Sequence, residues 1–569
     1  MTETGIIKIA IFLIVILFLV KPLGFYIKRV LCGETTLLDF IFAPVEKLIY
    51  FLLRVKPDKE QNWKEYTVSI IVFSIFSLIL LFFIQRFQQL LPGNPQNFGE
   101  VPGILAFNTA VSFVTNTNWQ AYSGESTMSY FSQVAGLSVQ QFLSAAVGIA
   151  VAAVLIRSFA RKNTDNLGNF WVDITRITVR LLLPLSFILA LFFIWQGVPQ
   201  NFNNYVTAQT LEGAKQIIPQ GPVASFEAIK ILGTNGGGFF GANSMHPYEN
   251  PTPFTNIIQC ICIFLIASSL VYAFGLMINS KKQGWTILIA MIILFVMLIV
   301  PMYYFEGNIN PQVKKIDSSL SEDLLKNMQG KETRFGIADS VLYSALTTST
   351  STGAVNCNLD TLNPLAGGIT IFNMSLGEVI IGGVGSGLYN MLMFVILTVF
   401  IAGLMVGRTP EFLGKKIGIT EMKFVMIALL ISPFCVLFFT ALGCFLPSVV
   451  ADLKAYGPHG FSRILYAFMS AANNNGSSFS GLNANTDFIN ISTAICMLLG
   501  RFVSIIAVMG VAGSIVRKKI IPPTSGTFPT TGAIFVVMLL VCILIIGGLN
   551  FFPALALGPI VEHVMMFSP

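Results

Sequence analysis

The sequence predicts an all-α, polytopic membrane protein with about ten transmembrane helices arranged around four copies of one unit. Of its 569 residues, 54% are hydrophobic and only 11% charged, and the mean hydropathy is +0.75. No water-soluble chain of this length needs so little charge. Ten stretches each supply the roughly 20 mostly apolar residues that cross a hydrocarbon core of about 30 Å. Four polar clusters recur between them: Thr115-Asn116-Thr117-Asn118, Thr234-Asn235-Gly236-Gly237, Ser351-Thr352-Gly353-Ala354 and Asn474-Asn475-Gly476-Ser477. With the third residue of each as register, Thr117, Gly236, Gly353 and Gly476 lie 119, 117 and 123 residues apart. Near-constant spacing marks a repeated unit.

The spans are placed at Gly5 to Pro22, Tyr66 to Gln85, Val134 to Ile156, Ile174 to Gln196, Phe254 to Ile278, Trp285 to Tyr304, Glu378 to Val406, Met422 to Leu446, Phe488 to Val516 and Gly532 to Leu549. The first reads as a retained helix. Its leading residues pair Glu3 with a single Lys8, and no small-residue cleavage site follows Lys21-Pro22-Leu23-Gly24. Phe40 to Val55 is too short and interrupted to span, which suits a helix lying along the inner leaflet.

Lysine and arginine set the orientation, because short cationic loops stay cytoplasmic. Lys28, Arg29, Lys47, Arg54, Lys56, Lys59 and Lys64 follow the first span; Arg157, Arg161 and Lys162, then Lys281 and Lys282, then Arg408, Lys415 and Lys416, then Arg517, Lys518 and Lys519 fill alternate connections. The other connections carry the four clusters and mixed charges, such as Glu322-Asp323 with Lys326, or Asp452 with Lys454. Both termini and all four clusters are therefore expected outside. The net charge of +7 is spread over the inner loops, a topology signal that calls for membrane lipids and no nucleic acid. Six of eight cysteines lie within spans, with no disulfide framework or paired-cysteine metal motif. His246, His459 and His563 have no acidic or cysteine partners at ligand spacing.

Before each cluster comes a segment shorter than a span: Ile104 to Val114, Val223 to Gly233, Ala338 to Thr350 and Phe461 to Asn473. After it comes a full apolar helix. A half-helix that enters the membrane and returns as a loop leaves backbone carbonyls without helical partners, a prohibitive cost in hydrocarbon. Such a loop survives where protein encloses it and its carbonyls meet something else. A dehydrated cation supplies that partner, and four loops about one axis supply a ring of oxygens. Glycine at the register position permits left-handed dihedrals that turn a carbonyl to the axis; Thr117 stands there in the first unit, making the ring unequal. Asn116, Asn235 and Asn475 are expected to stiffen the ring by hydrogen bonding to loop backbone, with Thr352 in the corresponding place of the third unit. Gln120 and Gly238 flank it.

Gly236 to Gly241 matches a dinucleotide-binding glycine pattern but follows no strand. Asn475-Gly476-Ser477 fits a glycosylation sequon but lies beside the ring. No convergent nucleophile or catalytic metal set is visible, so no catalytic site is expected.

The runs Val111 to Gln120, Gly233 to Phe240, Gly382 to Tyr389, Ala471 to Gly476, Gly407-Arg408-Thr409-Pro410-Glu411 and His246 to Pro251 resemble the potassium-binding subunit family of the bacterial Kdp complex, within the superfamily of potassium transporters. The likeness covers essentially the whole chain. It implies four fused membrane-pore-membrane repeats in a pseudo-fourfold, potassium-channel-like arrangement in the bacterial plasma membrane. The expected division is an extra N-terminal helix (1–30), pore repeats at 31–160, 161–280, 281–408 and 409–518, and an extra C-terminal helix (519–569). It also implies that the chain selects external potassium, its one metal ion, through a filter built from the four clusters and needs no organic cofactor. A P-type ATPase subunit binds ATP, and a small single-span subunit and a very small membrane peptide complete the complex. The absence from the sequence of an Asp-Lys-Thr-Gly motif and of a GxxxxGK[ST] loop accords with that division.

Two further places stand out. In the seventh span Gly382, Gly383, Gly385 and Gly387 with Ser386 interrupt the apolar run, so a break below the third loop is expected, with Glu378 at its head; close helix packing through small residues is the other reading. The resemblance makes this an internal loop controlling passage. Arg501, inside the ninth span, costs several kcal/mol unless it faces water or a partner; it either limits leak or forms a structural ion pair. A passive or ion-coupled channel subunit of the Trk or Ktr kind would share the four loops but needs only eight spans.

Overall fold

The structure, a computed structural model, describes residues 2–36, 38–309, 314–315, 326–405, 407–453, 455–522 and 527–567. Glu322, Asp323, Val406 and Lys454, named above, lie outside them. Among the described residues, ten helices are long and apolar enough to cross a membrane: Glu3–Cys32, Trp63–Arg86, Ser132–Ala160, Phe170–Trp195, Pro253–Met277, Lys281–Glu306, Ser386–Met405, Ile419–Phe445, Asp487–Val516 and Ala533–Met566. Local chemistry sets several of their ends. Asn62 caps the second through the amides of Lys64 and Glu65, while Glu65 returns to the Asn62 amide. Thr252 does the same with Thr255 in the fifth, where Pro253 occupies the first turn.

The layering follows from which helices are wrapped by others. The apolar windows of the third, fifth, seventh and ninth spans are 83, 72, 72 and 67% buried, against 17, 28 and 22% for the first, second and eighth. The inner layer is therefore made of the helices that follow the four polar clusters. Four short helices precede those clusters: Gly103–Val114, Val223–Leu232, Gly336–Ser349 and Gly457–Ala472. The first span leans on the fifth, with Phe12 edge-on to Phe264 at 5.6 Å. The tenth packs on the sixth and seventh.

The cation-bearing connections meet on one face. Lys415 donates to the carbonyls of Ser158 (2.6 Å) and Ile515 (3.0 Å), Arg157 pairs with Asp173 (2.7 Å) and reaches the Leu31 carbonyl (3.0 Å), and Arg161 pairs with Glu60 (2.8 Å). At the other end Lys8 pairs with Asp339 at 2.9 Å. The stretch expected along the inner leaflet contains the helix Asp39–Leu52, with Phe40, Phe51 and Leu52 exposed.

Two expectations need correction. The seventh span does not begin at Glu378: its first half is the helix Pro364–Ser375, followed by an irregular stretch over residues 376–385 and then Ser386–Met405. Gly367, Gly368, Thr370, Asn373 and Ser375 dilute the apolar signal of that half, so Glu378 lies in the middle of the break. His459 does have acidic partners, distant in sequence: Asp360 at 3.1 Å and Glu562 at 2.8 Å. These do not amount to a metal site; among the described residues no group of three His, Cys, Asp or Glu side chains could hold a metal ion.

Candidate functional site

Each short helix ends in the same way. The capping residues are Thr115, Gly233, Thr350 and Asn473, and each is followed by a left-handed residue: Asn116 (φ 68°), Thr234 (48°), Ser351 (48°) and Asn474 (50°). The next amide returns five residues back, Thr117 to Ser112 (3.0 Å), Asn235 to Lys230 (3.0 Å), Thr352 to Thr347 (3.1 Å) and Asn475 to Ser470 (2.8 Å). This is the hydrogen bond of a left-handed helix stop. It aligns Thr117 with Asn235, Thr352 and Asn475, so the glycine place in the first cluster belongs to Asn118 and not to Thr117 as the spacing alone suggested. The intervals become 118, 117 and 123 residues. Asn118 is itself left-handed (φ 56°), a conformation asparagine tolerates.

The four loops converge on one point. A β-carbon added at Gly236 would lie 2.8 Å from the Thr117 carbonyl oxygen, 3.0 Å from that of Asn475 and 3.2 Å from the Gly476 α-carbon; one at Gly353 would lie 2.8 Å from the Gly236 α-carbon. Gly353 (φ 79°) and Gly476 (φ 96°) are left-handed as expected, but Gly236 is not. Its need for glycine is the close approach, and its carbonyl accepts a bond from Asn243 Nδ2 at 2.6 Å. All four short helices point their C-terminal ends, which carry a partial negative charge, at this ring. A desolvated cation is the species such a place stabilises.

Side chains close the ring. Asn116 Nδ2 donates to the carbonyl of Thr234 (3.2 Å), Asn235 Nδ2 to Asn116 Oδ1 (2.9 Å), Asn474 Nδ2 to Thr117 Oγ1 (2.8 Å) and Asn475 Nδ2 to the Thr347 carbonyl (2.8 Å). Hydroxyls pair within loops, Thr115 with Thr117 (2.8 Å) and Thr350 with Thr352 (2.6 Å); Ser477 meets Tyr466 OH at 2.8 Å. Gln120 and Gly238 exchange two bonds of 3.0 and 2.9 Å. Gly237 and Ala354 are buried behind the ring. Both polar atoms of the Asn118 carboxamide are buried without a partner among the described residues.

The broken seventh span touches the ring directly. Gly382 N–H donates to the Ser349 carbonyl (3.1 Å) and Val384 N–H to Thr234 Oγ1 (3.0 Å). Glu378 (φ 60°) and Ile381 (φ 66°) are left-handed non-glycine residues, and for β-branched Ile381 this is strained. Gly385 packs on the Gly148 backbone, and Gly387 on the carbonyl of Ile381, leaving no space for side chains. Glu378 is buried beside Ser386, Ser351 and the Gly383 amide, with Arg501 the cation acting on it. Arg501 lies in a widened turn, Leu499–Val503, 3.4 Å from Tyr389 OH and 3.5 Å from the Ser144 carbonyl.

Sequence reasoning missed Asn243, the buried trio Glu227, Lys230 and Glu249, and Ser144, whose hydroxyl donates to Asn116 Oδ1 at 2.7 Å. A signal for the trio was present: two charges three apart within an apolar half-helix.

Comparison with known proteins follows this geometry. The family described as the potassium-transporting ATPase A subunit matches residues 10–564. The potassium-transporting ATPase potassium-binding subunits of Mesorhizobium japonicum and Brucella anthropi are 52 and 53% identical over 566 and 568 residues, covering 100% of this chain and 99% of theirs. The crystal structure of the potassium transporter TrkH from Vibrio parahaemolyticus superposes with a TM-score of 0.51 at 15% identity, over 88% of this chain and 97% of its own, a likeness of fold. By a family match across nearly its whole length and relatives identical at half of all positions, the chain belongs to the potassium-transporting ATPase A subunit family.

Proposed function

We propose that this chain selects potassium from outside the cell at the ring formed by Thr117, Asn118, Gly236, Gly353, Asn475 and Gly476, and passes it inward within an ATP-driven uptake pump. The observation that carries this reading is the meeting of four helix C-termini and four loops at one point, with the Thr117 and Asn475 carbonyl oxygens packed against the opposing glycines. The Asn118 carboxamide adds an unpartnered oxygen to the first quadrant. Four helix, half-helix, loop, helix repeats at 31–160, 161–280, 281–408 and 409–518 build the ring, with extra helices at 1–30 and 519–569 on the periphery. Both termini and the ring face outward, and the cationic face is cytoplasmic.

ATP is bound and hydrolysed by a P-type ATPase partner, with a single-span subunit and a very small membrane peptide completing the assembly. The broken seventh span gates the path below the ring: Gly383, Gly385, Ser386 and Gly387 shape it, and Glu378 and Arg501 set its charge. Replacing Arg501 with Gln should raise ATP-independent potassium leak; an unchanged leak in a folded protein removes that role. The likeness to TrkH is one of fold and gives the passive-channel reading no support of its own.

Thallium or rubidium, both potassium mimics, should give an anomalous diffraction peak at the ring. A peak elsewhere, with the ring empty, would refute the assignment. ATP hydrolysis by the purified chain alone would overturn the division of labour.

A further inference from the structure

We propose that Asn243 is a specificity-determining positioning residue: a buried lysine fixes its carboxamide, and that carboxamide fixes the direction of the Gly236 carbonyl. This rests on the reading of the ring as the potassium site.

Behind the second loop, Glu227, Lys230 and Glu249 have fully buried side chains. Lys230 Nζ contacts Glu227 Oε2 and Glu249 Oε2, each at 2.6 Å, and donates to Asn243 Oδ1 and Ser244 Oγ, each at 2.9 Å. Glu249 Oε1 accepts from the Phe240 amide at 2.8 Å, and Ser244 Oγ donates to Glu227 Oε1 at 3.0 Å. Tyr343, from the third short helix, donates to Gln259 Oε1 (2.9 Å), and its hydroxyl lies 3.2 Å from Ser244 Oγ. Lys230 spends its three N–H groups on Glu249 Oε2, Asn243 Oδ1 and Ser244 Oγ, and Glu227 Oε2 lies beside the ammonium without a hydrogen bond of its own among the described residues.

An ammonium group has donors and no acceptor, so only the carbonyl end of an amide can face it. Lys230 therefore settles which way Asn243 lies, and the Ser244 amide, 2.9 Å from Asn243 Oδ1, agrees. The NH₂ end then faces Gly236 O at 2.6 Å. Asn243 is held left-handed (φ 57°) at the start of the short helical turn Asn243–Met245, which brings its side chain back over the loop. Gly236 differs from Gly353 and Gly476 in not being left-handed, and among the described residues it is the ring glycine whose carbonyl accepts a side-chain hydrogen bond. The second quadrant is thus held from behind. The Gly236 carbonyl does not turn freely toward a smaller ion, and discrimination against sodium depends on that restraint.

The test is competition binding of potassium, rubidium and sodium to the purified full chain, with thermal unfolding measured alongside, for Asn243→Asp and Asn243→Ala. Asp is isosteric and keeps Lys230 and the Ser244 amide satisfied, but it has no N–H for Gly236 when ionised. We expect potassium affinity to fall about tenfold in both variants and preference over sodium to narrow by a similar factor, with binding capacity retained. A role in folding alone would lower unfolding temperature or capacity and leave the ratio unchanged. An unchanged ratio in either folded variant overturns the proposal. So does failure of Asn243→Asp to fold, which would show that the residue holds the fold and not one carbonyl. If the unaltered chain shows no selective binding, the reading of the ring fails instead.

Discussion

The second and third quadrants of the ring meet the same demand with different chemistry. Behind the second loop stand three fully buried ionisable groups, with Lys230 2.6 Å from both Glu227 and Glu249 and the cluster reaching the ring through Asn243. Behind the third loop the hydrogen bonds nearest the ring join neutral groups, Asn373 Nδ2 on Thr348 Oγ1 at 3.0 Å, Ser344 Oγ against Cys357 Sγ at 3.1 Å and the Thr350–Thr352 hydroxyl pair. Its charged groups among the described residues, Glu378 beside Ser351 and the Lys331–Glu306 pair, make no such link to a ring carbonyl. Charge-assisted hydrogen bonds are about twice as strong as neutral ones. The third quadrant is also the one followed by a broken span. The second wall is braced by charge and the third by neutral hydrogen bonds, a contrast that the proposed selective ring and gate would use.

That contrast can be broken from its strong side. Lys230→Met strands two buried carboxylates and should cost about 3–5 kcal/mol, seen as loss of folded protein, whereas Ser344→Ala in the third quadrant should cost about 1 kcal/mol or less by thermal unfolding. Equal losses would erase the distinction. Next in size, Gly353→Ala forces a side chain into a left-handed site against the Asn475 carbonyl, costing at least about 1–3 kcal/mol of local structure and abolishing potassium binding. Gly367→Ala in the same quadrant, with its nearest neighbour 3.5 Å away, should leave binding intact.

Thr234→Val keeps the shape of the loop and removes the acceptor of the Val384 amide. It should cost about 1 kcal/mol and raise ATP-independent leak while leaving affinity near its starting value. A change in affinity without leak would place this contact in the ring and not in the gate.

The smallest effect lies where the C-terminal helix meets the fourth short helix. His459, hydrogen-bonded to Asp360 and Glu562, has its pKa raised from the usual 6.5 to about 9, while Asp360 is lowered by Arg463 and His459 despite its burial. A raised histidine contributes stability fully present below its unfolded value and lost as pH climbs through the folded one. The contact between Glu562 on the C-terminal helix and the fourth short helix should therefore loosen between about pH 6.5 and 9. Hydrogen exchange over residues 561–567 should speed up across that window, and Glu562→Gln should flatten the change.

Ten spans and four half-helices were legible in the sequence because length and apolar character are linear properties of a chain. The break in the seventh span was legible from Gly382, Gly383, Gly385 and Gly387, but the half before it was not, since Gly367, Gly368, Thr370 and Asn373 look polar until they are buried, Gly367 beside Phe479, Gly368 against Pro559 and Asn373 on Thr348. The ring's register was read one residue early at Thr117 because near-constant spacing does not separate intervals of 119 and 118 residues, whereas a left-handed helix stop fixes position by hydrogen bonding, and asparagine satisfies it. Asn243 and Ser144 were beyond reach, since each acts on a loop through a fold that brings distant residues together. His459 found its carboxylates 99 and 103 residues away in sequence for the same reason.

The most direct test of the ring as one shared potassium site is binding to the purified chain, with rubidium and sodium competition, before and after Gly236→Ala and Gly476→Ala. Selective binding lost in both folded variants is the result predicted from carbonyls packed against each glycine. Binding that survives both would contradict it and leave the fourfold repeat as architecture alone.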